Sequence, residues 1–161
     1  MVLWQPGMII TSSRINPEGP FSYTPQLTAT ATNPALGVGG DYALEGRWWR
    51  WGHMVHAYMR LRFGSSGASA GSGFYRISLP VPASSNYTFN ASIGLGVQCG
   101  SATLRRQSPF DAVIGSVQLT SANTIQINIP GSVGAVRENA PWTWGPSDAI
   151  SVTVDYITDQ I

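Results

Sequence analysis

Between Val55 and Phe63 every second side chain is apolar (Val55, Ala57, Met59, Leu61, Phe63), while His56, Tyr58, Arg60 and Arg62 fill the positions between. Successive side chains of a strand point to opposite faces, so this pattern specifies a β-strand with one buried and one wet face. No stretch of eleven or more residues carries a 3.6-residue apolar period. Leu27, Ala29 and Ala31 alternate with threonines between Tyr23 and Thr32, and Ile150, Val152, Val154 and Tyr156 alternate with Ser151, Thr153 and Asp155. Further strand-like runs are Phe74–Leu79, Tyr87–Val97, Ala112–Leu119 and Thr124–Ile129. Between them lie turn clusters such as Asn33-Pro34, Gly64-Ser65-Ser66-Gly67, Gly71-Ser72-Gly73 and Pro130-Gly131. Trp51-Gly52-His53 predicts a tight hairpin with Gly52 at positive φ. Eight or nine short strands with turns every 8–12 residues or so predict an all-β chain, an antiparallel β-sandwich or jelly roll.

The length, 161 residues, suits one domain. Only 11% of residues are charged, the net charge is +1, and all nine basic residues are Arg. Phosphate-backbone affinity needs surplus positive charge, so nucleic acid is not an expected partner. No apolar run is long enough to span a bilayer, and the opening residues lack the pattern of a secretory signal, so synthesis in a cytoplasm is expected and a membrane is not. Cys99 is the single cysteine, which excludes an intrachain disulfide and a cysteine-based zinc site. A surface poor in charge and rich in Ser, Thr, Gly and aromatics suits a protein partly covered by copies of itself.

The chemistry-bearing residues are few. His53 and His56 stand three apart and face opposite sides of a strand, so they cannot clamp one metal. No G-x-S-x-G elbow is present, and the eight acids are thinly spread, which leaves a hydrolytic carboxylate pair a remote reading. Asp148, after Gly145-Pro146-Ser147, reads as the organiser of a turn. No cofactor is expected, and no enzymatic activity. The segment Gly46-Arg47-Trp48-Trp49-Arg50-Trp51, followed by Tyr58, Arg60 and Arg62, concentrates the residues that most often anchor interfaces. Trp48, Trp49, Trp51, Tyr58, Arg60 and Arg62 are therefore candidates for core packing, for contacts between subunits or for contact with a glycan. Arg60 and Arg62 would pair across an oligomer interface with acids such as Glu45 or Asp155. Trp142 and Trp144 form a second aromatic pair, for strand-end packing or a sugar-binding lip. The first twenty residues carry Trp4, Met8, Ile9, Ile10 and Ile15, broken by Pro6-Gly7 and Pro17-Glu18-Gly19-Pro20. Such an arm either packs on its own domain or anchors it to a neighbour.

Tyr23-Thr24-Pro25-Gln26-Leu27-Thr28 with Asn33-Pro34-Ala35-Leu36-Gly37 resembles the opening of a β-sandwich domain of bacteriophage fibre and minor tail proteins, especially of phages of actinobacteria. The resemblance extends through Gly46-Arg47-Trp48, Trp51-Gly52, Phe63-Gly64, Gly71-Ser72-Gly73, Ile77-Ser78-Leu79-Pro80, Pro141-Trp142-Thr143-Trp144 and Asp148-Ala149-Ile150-Ser151. Trp4, Pro6-Gly7-Met8-Ile9-Ile10-Thr11 and Arg14-Ile15-Asn16 are similar to the segment that precedes such knobs. It implies a virion structural protein, a trimer displayed on the particle surface, with an arm over residues 1–22 and a knob over 23–161. No heptad stretch or repeat shaft separates the two, so a capsid decoration or a short tail appendage is expected rather than a long fibre. Trp4, Met8, Ile9, Ile10 and Ile15 would anchor the arm to capsid or tail proteins, and the tryptophan–arginine group would hold copies together. Recognition of a host cell-wall glycan is the alternative, and a glycan hydrolase the remote one. The resemblance carries no catalytic residues.

Overall fold

The computed structural model describes residues 16–38, 41–87, 96–131 and 134–160. Nine strands account for the architecture: β1 (Glu18–Tyr23), β2 (Leu27–Ala29), β3 (Ala43–Trp51), β4 (Met54–Arg62), β5 (Tyr75–Ser78), β6 (Gln98–Arg106), β7 (Asp111–Leu119), β8 (Thr124–Asn128) and β9 (Ala149–Ile157). They form one antiparallel sheet in the order β1-β3-β4-β9-β6-β7-β8-β5-β2. Among the described residues the only helical element is a short 3-10 turn, Ser85–Tyr87. The chain is all-β and antiparallel, as its periodicity requires.

One face of the sheet supplies the core. Val55, Ala57, Met59 and Leu61 of β4 meet Ile150, Val152, Val154 and Tyr156 of β9, Leu104 of β6, Val117 of β7, Ile125 and Ile127 of β8, and Ile77 of β5 in a single cluster. Each fully buried aliphatic side chain contributes about 1.5–3 kcal/mol of transfer free energy, which makes this the dominant stabilising term. For one face to enclose one core, the sheet must curl. Trp144 marks the curl: its ring centroid lies 5.8 Å from Phe63, just beyond β4, and 5.9 Å from Tyr75 on β5, with four strands between β4 and β5 in the sheet order. Polar ties fasten the same closure, with the Tyr156 hydroxyl donating to the Val81 carbonyl at 2.8 Å and the Ser84 N–H to the Ile157 carbonyl at 2.7 Å.

The β3–β4 hairpin forms where the sequence places it. Trp51 pairs with Met54 across Gly52-His53, and Gly52 has φ 57°. Glycine at the first central position with positive φ is the arrangement a type II′ turn needs. The Asp148 reading also holds: the carboxylate is buried, accepts the Gly145 N–H at 2.9 Å and reaches the Gln107 N–H at 2.8 Å. It ties the entry of β9 to the β6–β7 connection.

Three boundaries differ from the sequence reading. Glu18–Tyr23 is the outermost strand, paired with Arg50–Gly46 of β3, so residues 18–22 of the supposed arm belong to the sheet. The Tyr23–Thr32 run divides into β1 and β2, with Pro25 between them. The strand sought at Tyr87–Val97 falls largely outside the described residues, and the strand described there begins at Gln98. Its alternation was hidden by an irregular register between Gln98 and Gly100, which leaves Cys99 and Ala102, three apart, both buried.

Candidate functional site

The reverse face of the sheet is built from the positions between the core residues. Registration sets it out in transverse rows, because paired residues on neighbouring strands lie on one face. Trp51 pairs with Met54 and then Ile157; Trp49 with His56 and Asp155; Arg47 with Tyr58 and Thr153; Glu45 with Arg60, Ser151 and Thr103; Ala43 with Arg62, Ala149 and Arg105. The face thus has an aromatic end, beside the β3–β4 hairpin, and an arginine end.

At the aromatic end Trp51 is 60% exposed and Met54 is 47% exposed. Trp49 is half-buried, its ring 5.6 Å from the His56 ring, and His56 Nδ1 lies 2.7 Å from the Asp155 carboxylate. Pro17, where the described chain enters the sheet, lines a shallow depression of about 270 Å³ together with Trp49, Arg50, Trp51, Met54, His56 and Asp155. Trp48 goes the other way. It sits between Trp49 and Arg47 on β3, so it turns inward, packs against the core and meets Phe21 of β1 at 4.7 Å. Gly46 lets this side of the sheet close, because the Tyr23 ring occupies the place of a Gly46 side chain: a Cβ there would stand 2.2 Å from Tyr23 Cε1.

At the arginine end Arg60, Arg62 and Arg105 border a depression of about 620 Å³ whose lining also includes Glu45, Thr103, Gln107, Ser147, Ala149 and Ser151. Arg60 lies 3.7 Å from Glu45, both exposed. Arg62 donates to the Asp41 carbonyl at 2.6 Å. The Asp41 carboxylate in turn accepts the Ser65 N–H at 2.6 Å and the Ser65 hydroxyl, and these hydrogen bonds hold its pKa below the ordinary value. The Arg105 guanidinium lies 5.2 Å from the centre of the exposed Phe110 ring. Glu45 and Asp155, expected to meet arginines of another copy, are engaged within the chain by Arg60 and His56.

Trp142 and Trp144 require a correction. They are 6% and 3% exposed, their rings 5.5 Å apart, and belong to the core rather than to a lip or a subunit contact. The Trp144 indole N–H donates to the Arg137 carbonyl at 3.0 Å. The anchoring candidates Trp4, Met8, Ile9, Ile10 and Ile15 lie outside the described residues. His53 occupies the hairpin turn, with Nδ1 2.9 Å from the Thr158 carbonyl, away from His56. Among the described residues no three His, Cys, Asp or Glu side chains cluster closely enough to hold a metal. Burial pushes the Cys99 thiol up to about 12, so it is a packing residue and not a nucleophile.

Arg105, Thr103 and Ser147 were not singled out in the sequence. The signal for the first two was present, since Thr103 and Arg105 alternate with buried Ala102 and Leu104. Ser147 stands at the turn into β9, with φ 64°, and no sequence period reaches it. No protein-family model, curated protein or solved structure matches the chain.

Proposed function

We propose that the chain is a bacteriophage virion surface protein, a sandwich-like trimeric knob fixed close to the capsid or tail by its N-terminal arm. The observation that carries this reading is the aromatic end of the outer face. Trp51 and Met54 stand exposed beside Trp49, and the chain enters the sheet next to them at Pro17. Large exposed apolar side chains grouped together are the anchors of a protein contact. Pro17, which follows the apolar stretch from Trp4 to Ile15 in the sequence, lines the same depression as Trp49, Trp51 and Met54, and this supports a joint role for arm and aromatic face. Binding is the whole mechanism: the arm buries apolar side chains on the shell, the aromatic face meets a second copy, and each association stabilises the folded state by mass action. Antibodies against the purified chain, applied to particles of the phage that encodes it, test the reading. Labelling of the particle surface is the expected result; particles free of the chain would overturn it.

A second reading, recognition of a host-envelope glycan, is supported by the arginine-bordered depression at the other end of the face, with the exposed Tyr58 ring beside it.

A further inference from the structure

The arginine end has more positive charge than its own chain uses. Three guanidinium groups and one carboxylate line the depression, a surplus of two positive charges (3 − 1). Arg60 is matched by Glu45. Among the described residues no carboxylate lies within ion-pairing distance of Arg62 or Arg105. Nucleic acid or a large acidic protein would need a broad basic surface, and the net charge of the chain is only +1. The surplus is local, so it suits one small anionic group.

The register places that group. Arg62 pairs with Ala149 on β9, and Ala149 pairs with Arg105 on β6. The two arginines therefore flank a methyl group, with their Cα atoms about 10 Å apart across two strand spacings. Ala43 and Ala112 flank the pair on its far sides, paired with Arg62 and Arg105 respectively. Small neighbours leave space over Ala149. To meet an anion there, Arg105 turns from the Phe110 ring, over which its guanidinium lies in the free chain, while Arg62 reaches it from the Asp41 carbonyl. Arg62 spends one of its donors on the Asp41 carbonyl, which fixes the side chain and leaves others for a ligand. Guanidinium groups fork onto carboxylates and phosphates with two parallel hydrogen bonds. The remaining lining, Thr103, Ser147, Ser151 and Gln107, offers hydroxyl and amide groups that donate and accept. That set suits a hydroxyl-rich molecule, and about 620 Å³ is within the ordinary size of a small-ligand site.

We infer that this depression binds an anionic saccharide, with a carboxylate or phosphate group held between Arg62 and Arg105 over Ala149 and the sugar hydroxyls on Thr103, Ser147, Ser151 and Gln107. The inference rests on the glycan-recognition reading above and adds to it the charge of the ligand and the residues that read it.

Calorimetric titration of the full chain with glucose 6-phosphate, glucuronate, glucose and inorganic phosphate tests it without any particle. Glucose 6-phosphate or glucuronate should bind at least tenfold more tightly than glucose, and whichever binds identifies the anion as phosphate or carboxylate. Arg105→Ala should lower that affinity at least tenfold with an unchanged melting temperature. Arg47→Ala, on the same face but outside the depression, should leave it unaltered. Inorganic phosphate binding as tightly as glucose 6-phosphate would overturn the saccharide. Tighter binding of a thymidine oligonucleotide would overturn it in favour of nucleic acid. Glucose binding equally well, with no effect of Arg105→Ala, would overturn the anion site while leaving glycan recognition standing; no binding by any of the sugars would remove both.

Discussion

The two tryptophan clusters of this chain begin from similar sequence and end in opposite environments. Trp142 and Trp144, two apart in the β8–β9 connection, both lie inside, where the second stacks between Phe63 and Tyr75. Trp48 and Trp49 are adjacent on a strand, so pleating must send one to each face; Trp48 goes in, and Trp49 and Trp51 go out. The first arrangement closes a curled sheet. The second uses a strand's geometry to keep indole surface in contact with solvent, the surface that the proposed contact between copies would cover. Spacing alone does not separate the cases, because Trp49 and Trp51 are also two apart. What separates them is which face of the sheet the spacing addresses.

The widest separation between the clusters should come from Trp144→Ala, which removes the ring that bridges β4 and β5. A loss of about 3–5 kcal/mol in urea unfolding is expected. A loss below about 1 kcal/mol would mean that the curl does not depend on that indole. Next comes Gly46→Val. The added side chain collides with the Tyr23 ring that covers β3, and overpacking of this kind costs about 1–3 kcal/mol, read as a lower thermal midpoint. The outer cluster should behave differently. Trp51→Arg is expected to leave the stability of the fold within about 0.5 kcal/mol, as exposed substitutions do, while weakening association between copies in sedimentation. The smallest effect concerns pH. The Ser65 hydrogen bonds depress the Asp41 pKa, so the stability they contribute is present above the unfolded-state value, near about 4, and is lost as pH falls through the lower folded-state value. Asp41→Asn should therefore flatten the fall of the melting temperature toward acid pH, while the Arg62 contact, made to the backbone carbonyl, persists.

Much of this was legible because period-two alternation survives wherever a strand has one buried face. β4, β8 and β9 announce themselves through Val55–Leu61, Ile125–Ile127 and Ile150–Tyr156. The hairpin at Gly52 and the turn at Asp148 were equally readable, since each depends on a local backbone need. β6 was not, because its irregular register breaks the alternation between Cys99 and Ala102 and its small residues carry little hydrophobic signal. The edge strand β1 hid behind Pro17, Gly19 and Pro20, residues that an edge tolerates and that read as loop. At the site, the sequence singled out Arg60 and Arg62 from their alternation on one strand. It could not supply Arg105, whose place beside Arg62 comes from strand order, a long-range property. It also left Trp142 and Trp144 open between strand-end packing and an exposed contact, because an irregular connection has no period to reveal which way its side chains turn.

The account depends on the aromatic end of the outer face being a contact between copies of the chain. Sedimentation of the full chain, with and without Trp51→Arg, measures this directly. A trimer that falls to monomers in the variant, with the melting of the isolated domain unchanged, is the expected result. A parent chain that stays monomeric at every concentration tested would contradict it.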